Sequence, residues 1–467
     1  MNRVDPRVRC LNDSPERRGA RYVLYWAQMN RRADSNHALE FAVSHANRLK
    51  LPLLVYEAIT CTYPFASDRF HTFLLEGVPE TAKRLRDRGM GYVFYLRKRR
   101  SDANDILYRL AAEAALVVTD DYPVFIPATH NASVPAKIGV PYFAVDSSCI
   151  VPMRTFEKKE YAAYTIRPKI HRVLGDFLRP LEPIEPKHAW KSPLPDFHVE
   201  VTKEAIPNLV ASCEIDHSVK PSIAFTGGRL AAEARLRTFL ARDLARYAAD
   251  KNEPGAHATS NLSPWLHFGH ISSLEIALAA KARGHAPEFL EELIVRRELA
   301  FNHALWAPRA DELSTIPGWA LDTLYKHAGD RREHVYSLEQ FEAADTRDPL
   351  WNACQHELLM TGKIHGYYRM YWGKKIIEWS PGPESALAVM LHLNDKYALD
   401  GRDPNSYTNI LWCFGLHDRP WGERDVFGMV RFMSFDGMKR KTSVDSYLRE
   451  ISFMRMTGTL PPGVEKL

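Results

Sequence analysis

Apolar and polar positions alternate in blocks along the first third of the chain. Continuous apolar runs predict buried strands at 22–26, 53–56, 92–96, 116–119 and 142–145. Amphipathic segments predict crossover helices at 36–49, 69–87 and 104–114. This alternation predicts a mostly parallel, doubly wound sheet, and therefore a Rossmann-like α/β domain over 21–150. The polar, Arg-rich residues 1–20 predict a flexible N-terminal arm.

The pattern changes after residue 150. Five prolines, which break helices and favour extended chain, fall close together at Pro180, Pro183, Pro186, Pro193 and Pro195. They predict an interdomain linker over 151–225 that opens with a helix at 157–179. From 226 onward, apolar residues recur at helical spacing in the segments 228–249, 287–305, 337–343, 350–361, 363–379 and 384–398. The region 226–467 is therefore predicted to be an all-α domain.

Composition narrows the class of protein. The chain has 467 residues, of which 45% are hydrophobic and 25% charged, so it is long enough for two or three globular domains. The notable absences in the sequence are an apolar run of membrane-spanning length, an N-terminal signal core, a Gly-rich dinucleotide fingerprint and closely spaced cysteines. We expect a cytoplasmic protein, or a nuclear one in a eukaryotic source, with no membrane partner, no metal and no NAD. The net charge of +5 permits an anionic partner.

Hydroxyl and amide side chains cluster just before a predicted helix start, in the string Thr259-Ser260-Asn261-Leu262-Ser263. Such side chains, with the free N–H groups of a helix start, can bind a phosphate. The same string also serves as an ordinary helix cap.

A charged segment follows at Glu292-Leu293-Ile294-Val295-Arg296-Arg297-Glu298. Taken alone, it is typical of a solvated helix face with internal ion pairs. Either Glu292 or Glu298 could instead supply a carboxyl group to a reaction.

Three tryptophans near the C-terminal end form a third group. Trp372 and Trp379 are seven residues apart, hence on one face of a predicted helix, and Trp351 lies in the preceding segment. Clustered tryptophans are usually part of a hydrophobic core. Arg369 and Asp400 likewise are compatible with a simple salt bridge.

These strings resemble, as a set, the class II cyclobutane pyrimidine dimer photolyases of the photolyase/cryptochrome family. The most specific strings are Asp348-Pro349-Leu350-Trp351-Asn352-Ala353, Gly362-Lys363-Ile364-His365-Gly366 and Asp400-Gly401-Arg402-Asp403-Pro404-Asn405, with the aromatic run at 367–372. Val295 stands where class I enzymes carry Trp, which favours class II. The resemblance extends over nearly the whole chain.

The resemblance implies an FAD cofactor, fully reduced when active, held in the all-α domain. The residues that it assigns to the cofactor are Tyr247, Thr259, Ser260, Asn261, Leu262, Ser263, Arg369, Asn394, Asp400, Gly401 and Asp403. Arg369 would pair with Asp400 beside the flavin ring, and Asn394 would face flavin N5. The α/β domain could hold an antenna pigment such as a deazaflavin or a folate, or none.

The resemblance also implies an electron chain. Trp372 would lie nearest the flavin, Trp351 next and Trp379 towards the surface, with Tyr336 as an alternative terminal donor. Glu292 and Met370 would contact the lesion. UV-damaged DNA is the implied partner of what we expect to be a monomer, through Lys251, Asn252, Trp412, Trp421, Arg431, Lys439, Arg440 and Lys441.

The implied function is light-dependent repair of cyclobutane pyrimidine dimers by electron transfer from excited reduced FAD. A cryptochrome-like blue-light photoreceptor shares fold, flavin and tryptophans, but the tail after Lys441 is short for a signalling extension. A (6-4) photolyase would be expected to use histidines at the lesion. A DNA-binding protein without chemistry would use the same aromatic residues only for core packing and stacking.

Overall fold

The computed structural model describes residues 5–307 and 309–467, and begins with a six-stranded sheet. The strands are β1 (Val8–Cys10), β2 (Tyr22–Ala27), β3 (Leu53–Thr60), β4 (Gly91–Arg97), β5 (Ala114–Asp120) and β6 (Tyr142–Val145). They lie in the order β1-β6-β5-β2-β3-β4, with all pairs parallel except β1 with β6. The prediction of a mostly parallel, Rossmann-like sheet is confirmed.

The expectation of a flexible arm over 1–20 is wrong for the part that forms β1. This strand pairs with β6, and the neighbouring Arg7 is only 4% exposed. The Arg7 guanidinium donates hydrogen bonds to the carbonyl oxygens of Asp146 at 3.2 Å and Cys149 at 2.7 Å, which fixes this segment to the sheet. Residues 1–4 of the predicted arm lie outside the described residues.

Helices cover both faces of the sheet. They are α1 (His37–Leu49), α2 (Asp68–Asp87), α3 (Ile106–Ala111) and α4 (Phe125–Ser133). Because side chains alternate along a strand, β2 sends Val23 and Tyr25 into one apolar core and Leu24 and Trp26 into another on the opposite face. Strands buried on both faces have no polar alternation, which is why they appear as continuous apolar runs in the sequence.

The predicted linker contains two helices, α5 (Ala163–Phe177) and α6 (Ile206–Ala211). The first is shorter than the predicted helix at 157–179. The proline-rich stretch 180–195 has neither helix nor strand, as expected where prolines remove backbone donors.

The remaining chain is helical. Its α-helices are α7 (Arg229–Thr238), α8 (Tyr247–Asp250), α9 (Ser263–His267), α10 (Ser273–Ala282), α11 (Pro287–Leu290), α12 (Arg297–Trp306), α13 (Gly318–Lys326), α14 (Leu338–Glu342), α15 (Pro349–Thr361), α16 (Gly366–Trp379), α17 (Pro383–Tyr397), α18 (Pro404–Cys413), α19 (Phe435–Lys441) and α20 (Val444–Thr457). π-Helical turns occupy Phe239–Asp243 and Glu291–Arg296. The prediction of an all-α C-terminal region is confirmed.

The hydrophobic core does not divide at residue 225. Trp265 and Leu293 of the helical region belong to the same buried cluster as Val23 of the sheet. Helix α2 also reaches across, because the buried Arg69 donates to the carbonyl oxygens of Leu358 at 3.1 Å and Tyr397 at 2.8 Å. The sheet domain therefore packs against, and helps to position, the helices that form the site described below.

Within 5–307 and 309–467, none of the helices is both long and apolar enough to cross a membrane. The same residues contain no group of three or more His, Cys, Asp or Glu side chains arranged to bind a metal ion.

Candidate functional site

A cavity of about 480 Å³ opens among α8, α9, α16, α17, α18 and the π-helical turn Glu291–Arg296. The predicted site residues that line it are Tyr247, Lys251, Asn252, Thr259, Ser260, Asn261, Leu262, Ser263, Glu292, Arg369, Met370, Trp372, Asn394, Asp400 and Asp403. Residues separated by more than 150 positions thus meet at one place. A volume of this order suits a small organic ligand.

An ion-pair network lies in the cavity wall around Asp400. Its Oδ1 atom is 2.8 Å from Nη2 of Arg369, and its Oδ2 atom is 3.5 Å from Nζ of Lys363. The Ser263 hydroxyl donates to Oδ2 at 2.6 Å. Burial alone would raise the pKa of Asp400, but the charges of Arg369 and Lys363 and these hydrogen bonds hold the pKa well below its usual value. Asp400 is therefore a fixed negative charge.

Asn394 projects from α17 into the cavity and is oriented by its neighbours. Its Nδ2 group donates to the Ser406 hydroxyl at 2.6 Å and to Asp395 Oδ1 at 3.0 Å. Gly401 does not line the cavity. A Cβ atom there would lie 2.8 Å from the Asn394 carbonyl oxygen, so glycine permits the close chain approach that places Asp400.

The string 259–263 forms a turn before α9. The carbonyl oxygens of Thr259 and Ser260 accept hydrogen bonds from Arg235, at 2.6 and 2.8 Å. With the carbonyl groups occupied by Arg235, the turn presents its hydroxyl and amide side chains to the cavity. Such a polar edge suits phosphate oxygens.

Asp403 caps the start of α18 at the same wall. Its Oδ1 atom accepts the Asn405 backbone N–H at 2.8 Å, and its Oδ2 atom accepts the Tyr122 hydroxyl at 2.6 Å. Because Tyr122 follows β5, this contact fixes the cavity wall to the α/β domain.

The π-helical turn carries Glu292 into the cavity. Its Oε1 atom lies 3.0 Å from Nζ of Lys251, and that ammonium group lies 5.7 Å from the centre of the Tyr247 ring. Wide turns of this kind often occur at functional sites. Glu292 and Lys251 thus face each other across one edge of the cavity.

Glu298 does not line the cavity. It is 4% exposed, and its Oε1 atom accepts backbone N–H groups from Ile150 at 2.7 Å and Val151 at 3.0 Å. Burial raises the pKa of this carboxyl group to about 8. Of these two carboxylates, Glu292 lines the cavity and Glu298 does not.

Four aromatic rings lead from the cavity wall to the surface. Trp372 lines the cavity and stacks on Trp351 with ring centroids 6.3 Å apart and planes 5° apart. Trp351 lies 6.1 Å from Trp379, which lies 5.5 Å from the half-buried Tyr336. The order of the rings agrees with the order that the resemblance implies.

Hydrogen bonds hold the two inner indoles. Nε1 of Trp372 donates to Gln355 Oε1 at 3.0 Å, and Nε1 of Trp351 donates to the Trp372 carbonyl oxygen at 2.9 Å. Both rings and Gln355 are at most 2% exposed. Their mutual orientation is therefore fixed.

A cation-π cluster lies beside the cavity. The Arg431 guanidinium is 5.6 Å from the Trp412 ring centre and 5.1 Å from that of Trp421. Trp412 is next to Cys413, which lines the cavity, and Trp421 is 40% exposed. The predicted DNA-contacting aromatic residues therefore form one group with Arg431.

The basic run Lys439, Arg440 and Lys441 is exposed at the end of α19. The segment after this helix contacts the cavity region, because the Ser443 backbone N–H donates to Oε2 of Glu253, next to Asn252, at 2.9 Å. Positive charges at a helix C-terminus are also favourable to the helix itself.

A second cavity, of about 430 Å³, lies at the carboxyl ends of the parallel strands. Its walls include Trp26, Tyr56, Arg97 and Arg402, and it shares His267 with the first cavity. Ligands of open α/β sheets commonly bind at this edge.

Sequence reasoning missed several residues of the first site. Lys363 was predicted only as part of a family string, with no role of its own, although its ammonium group contacts Asp400. Gln355 has no local signal, because only the packing of α15 on α16 brings it to Trp372. His365 lines the cavity, and its buried Nε2 atom has no hydrogen-bond partner among the described residues.

The fold defines the class. The structure aligns with that of a class III photolyase from Agrobacterium tumefaciens with a TM-score of 0.69 and 19% identity, covering 97% of this chain and 94% of that one. This similarity confirms the photolyase/cryptochrome architecture.

The sequence comparisons identify the family. The DNA photolyase family model matches residues 23–187. The chain is 42% identical over 449 residues to the deoxyribodipyrimidine photo-lyase of Methanothermobacter thermautotrophicus, covering 95% of this chain and 98% of that protein. It is 36% identical to that of Potorous tridactylus, covering 92% and 81%. The chain therefore belongs to the DNA photolyase family, which confirms the predicted family and, at this level, the predicted photolyase enzyme.

Proposed function

We propose that the protein repairs cyclobutane pyrimidine dimers in UV-damaged DNA, driven by light, as a class II photolyase with FAD as its cofactor. The observation that carries the proposal is the series of aromatic rings from Trp372 in the cavity wall to Tyr336 at the surface. A purely structural core does not require such a series to begin at a polar cavity. The names of the relatives described above support the same activity.

The residues present fit FAD. The hydroxyl and amide groups at 259–263 suit a diphosphate. The buried Nε2 atom of His365, for which the described part of the chain supplies no hydrogen-bond partner, offers a further polar contact in the wall. Gly373 lets α16 approach α18, since a Cβ atom there would lie 2.7 Å from Cys413 Sγ. Bound FAD, fully reduced and excited by blue light, would supply one electron to the dimer and recover it after the ring splits, with no net redox change.

The charged groups of the chain would orient the cofactor and tune its protonation. Asp400 stays ionised in the wall beside the Arg369 guanidinium, as the low pKa of Asp400 indicates. Asn394, held by Ser406, presents an amide group that can accept or donate a hydrogen bond. Preorganised groups of this kind need not reorient during the reaction.

Glu292 would hold the lesion. Its side chain is at the cavity edge, where the carboxyl group, when protonated, can donate a hydrogen bond to a pyrimidine carbonyl oxygen as negative charge develops there. Lys251 sits within 3.0 Å and stabilises the carboxylate before the lesion arrives. Met370 supplies apolar contact in the same wall.

Damage selectivity would come from the cost of base flipping. A dimer is poorly stacked and paired, so extruding it from the duplex costs less than extruding intact bases. Lys439, Arg440 and Lys441 would bind phosphates, and the Trp412, Trp421 and Arg431 cluster would stack against the flipped dimer or the gap it leaves.

Trp372, Trp351 and Trp379 would pass electrons inward from the surface when the bound cofactor is oxidised, with Tyr336 as the terminal donor. The assignment to class II rests on the position of these rings and on the buried Val295 in the segment that carries Glu292.

The second cavity is the candidate antenna site. It lies in the α/β domain, is lined by aromatic residues and shares a wall with the first cavity through His267. Whether a deazaflavin, a folate or no pigment occupies it can be determined by extracting the purified protein and analysing the released pigments by mass spectrometry.

The proposal is tested by purifying the protein in the dark, recording its absorption spectrum and following dimer loss from UV-irradiated DNA under blue light with a reductant. Bound flavin with light-dependent loss of cyclobutane dimers supports the proposal. Flavin without repair favours a photoreceptor, repair of (6-4) products alone favours the other photolyase type, and a colourless protein that binds DNA contradicts a photolyase function.

A monomeric state and a cytoplasmic or nuclear location remain predictions. Light scattering during gel filtration tests the first, and imaging of a tagged chain in its own cell tests the second.

A further inference from the structure

Tyr371 lies beside the aromatic chain, immediately before Trp372 in α16. Its side chain is fully buried, and its hydroxyl donates a hydrogen bond to Oδ2 of Asp348. The other carboxylate oxygen, Oδ1, accepts the backbone N–H groups of Leu350 at 2.9 Å and Trp351 at 3.0 Å. One carboxylate therefore contacts both a phenol and the start of the helix that carries Trp351.

Within residues 5–307 and 309–467, the N–H groups of the two inner indoles, Trp372 and Trp351, have no base as a hydrogen-bond partner. Trp372 donates to an amide oxygen of Gln355 and Trp351 to a backbone carbonyl oxygen. Amide oxygens are hydrogen-bond acceptors that do not take up protons at neutral pH. An indole of this pair that loses an electron therefore keeps its proton and remains a buried positive charge.

Tyr371 has the base that the indoles lack. Burial, and then the Asp348 carboxylate, raise the pKa of the Tyr371 hydroxyl well above its usual value, so the phenol is protonated in the resting protein. Loss of an electron makes a phenol strongly acidic, and the acceptor for the released proton is already in place. Tyr336 is arranged differently, because its hydroxyl accepts the Arg347 backbone N–H at 3.1 Å and its ring reaches the surface.

We propose that Tyr371 is a buried auxiliary electron donor to the tryptophan chain, with Asp348 as its proton acceptor. The inference rests on the proposed function, because the oxidant is the tryptophan radical cation left when light reduces the oxidised flavin. The electron goes from Tyr371 to the tryptophan radical cation, the O–H bond breaks, and the proton moves to Oδ2 of Asp348. The products are a neutral tyrosyl radical, a neutral carboxylic acid and a restored tryptophan.

The step removes two charges from the interior. Before it, the cluster holds a tryptophan cation and the 7% exposed Asp348 carboxylate, and after it the cluster is neutral. Isolated charges are costly in a low-dielectric interior, so neutral products are favoured.

Lys375 also disfavours a positive charge on the tryptophan chain. Its ammonium group lies 5.3 Å from the centre of Trp379, where it opposes positive charge on that ring, and it is partly offset by Glu378 at 2.7 Å. The same ammonium is 5.7 Å from the Tyr371 ring, where a neutral radical is unaffected by its charge. We therefore expect that some of the tryptophan radical cations are reduced by Tyr371 and the others through the surface route that ends at Tyr336.

The test uses the full-length protein with oxidised flavin bound, grown with ring-deuterated tyrosine. Radicals are followed after a light flash by transient absorption and electron paramagnetic resonance, in which the deuterium label narrows tyrosyl lines. We expect Tyr336→Phe to retain a label-sensitive tyrosyl signal and Tyr336→Phe/Tyr371→Phe to lose it.

Asp348→Asn in the Tyr336→Phe background is the matched variant. Asparagine caps a helix about as well as aspartate but cannot accept the proton. We expect this variant also to lose the tyrosyl signal while its tryptophan radical persists for longer. If Tyr371→Phe does not fold, the Asp348→Asn variant alone tests the inference. Flavin content and circular dichroism show whether each variant is folded.

Loss of the tyrosyl signal in Tyr336→Phe alone would overturn the inference, as would its survival in the double variant or in the Asp348→Asn variant. Absence of tryptophan radicals from every variant would overturn the electron chain and this inference together. Dimer repair by chemically pre-reduced protein is measured separately, and its failure would count against the proposed function alone.

Discussion

Nη2 of Arg369 lies 2.8 Å from Oδ1 of Asp400, and this ion pair joins α16 to the turn before α18 in the cavity wall. The second oxygen of Asp400 is taken by Lys363 and Ser263. One carboxylate thus balances two cations and orients a hydroxyl group, all within the proposed cofactor site.

Asp400→Asn is expected to lower flavin retention and stability. The substitution keeps the shape but leaves two half-buried cations without their counter-ion. Removing one partner of a fully buried ion pair typically costs about 3–5 kcal/mol, which is the upper bound for this loss. The flavin-to-protein absorbance ratio after gel filtration and the unfolding free energy measure the effect. Asp176→Asn, in an exposed pair with Arg179, is the control and should change neither. Full flavin content in Asp400→Asn would contradict the assignment.

Trp372→Phe is expected to block photoreduction of oxidised flavin and to spare repair by chemically pre-reduced protein. The reason is that Trp372 is the ring of the chain that lines the cavity, so its loss separates Trp351 from the site. Photoreduction is measured by flavin absorbance under blue light with an external electron donor. Repair is measured by the loss of dimers from DNA. Trp306→Phe changes a tryptophan that is 39% exposed on α12 and should photoreduce normally. Equal loss of both activities would assign Trp372 a structural role instead.

Glu292→Ala is expected to lower the repair yield at saturating lesion several-fold, with a smaller effect on lesion affinity. A group that stabilises charge only as the dimer accepts an electron affects the reaction more than binding. Dimer loss per absorbed photon and lesion affinity are measured side by side. Glu291→Ala removes the neighbouring carboxylate, which pairs with Arg167 at 2.7 Å outside the cavity, and should leave the yield unchanged. A normal yield in Glu292→Ala would move the role to another residue.

Neutralising Lys439 and Lys441 together is expected to flatten the salt dependence of DNA binding. Each phosphate contact contributes roughly 0.9 to the slope of log affinity against log salt, so losing both should lower the slope by roughly 1 to 2. Binding to damaged and undamaged duplexes across a salt series gives the slope. Lys83→Gln, which removes an exposed cation paired with Asp87 on α2, provides the comparison. An unaltered slope would place the phosphate contacts on another surface.

Glu298→Gln is expected to change how stability depends on pH. The pKa of Glu298 is raised to about 8 in the folded protein, whereas the unfolded chain ionises near the ordinary value. Its contribution to stability is therefore complete below the unfolded pKa and is lost progressively as pH rises towards 8, by up to about 1.4 kcal/mol per pH unit.

The unfolding free energy from denaturant titrations between pH 5 and pH 9 checks this expectation. Stability should fall less steeply between pH 5 and 8 in Glu298→Gln than in the unaltered protein. Glu292→Gln, which changes a carboxylate at the open cavity edge, is the comparison variant. Identical slopes in all three proteins would show that Glu298 ionises normally in the fold.

Local pattern was sufficient for much of the fold. The strands at 22–26 and 142–145 and the helix at 350–361 are close to the observed bounds, because continuous apolar runs and helical periodicity directly reflect burial. The pattern failed where a polar segment is fixed by contacts made far away. Arg7 is an example, since its acceptors follow β6, more than 130 residues along the chain.

The sequence predicted only part of the site. The family resemblance indicated Trp372, Arg369 and Asp400, and the structure brings them to one cavity. The sequence could not decide between Glu292 and Glu298, because both lie in one charged helical segment. Only the packing places Glu292 in the cavity wall and Glu298 against Ile150.

The sequence by itself determined the α/β and helical halves, the family and most of the residues that meet in the cavity, since each of these depends on local periodicity or on short strings. Only the tertiary structure decided that Gln355 binds the Trp372 indole, that Lys363 shares Asp400, and that Asp348 joins Tyr371 to the helix of Trp351. These contacts connect separate helices, and their geometry follows from how the helices pack, which no local pattern of residues encodes.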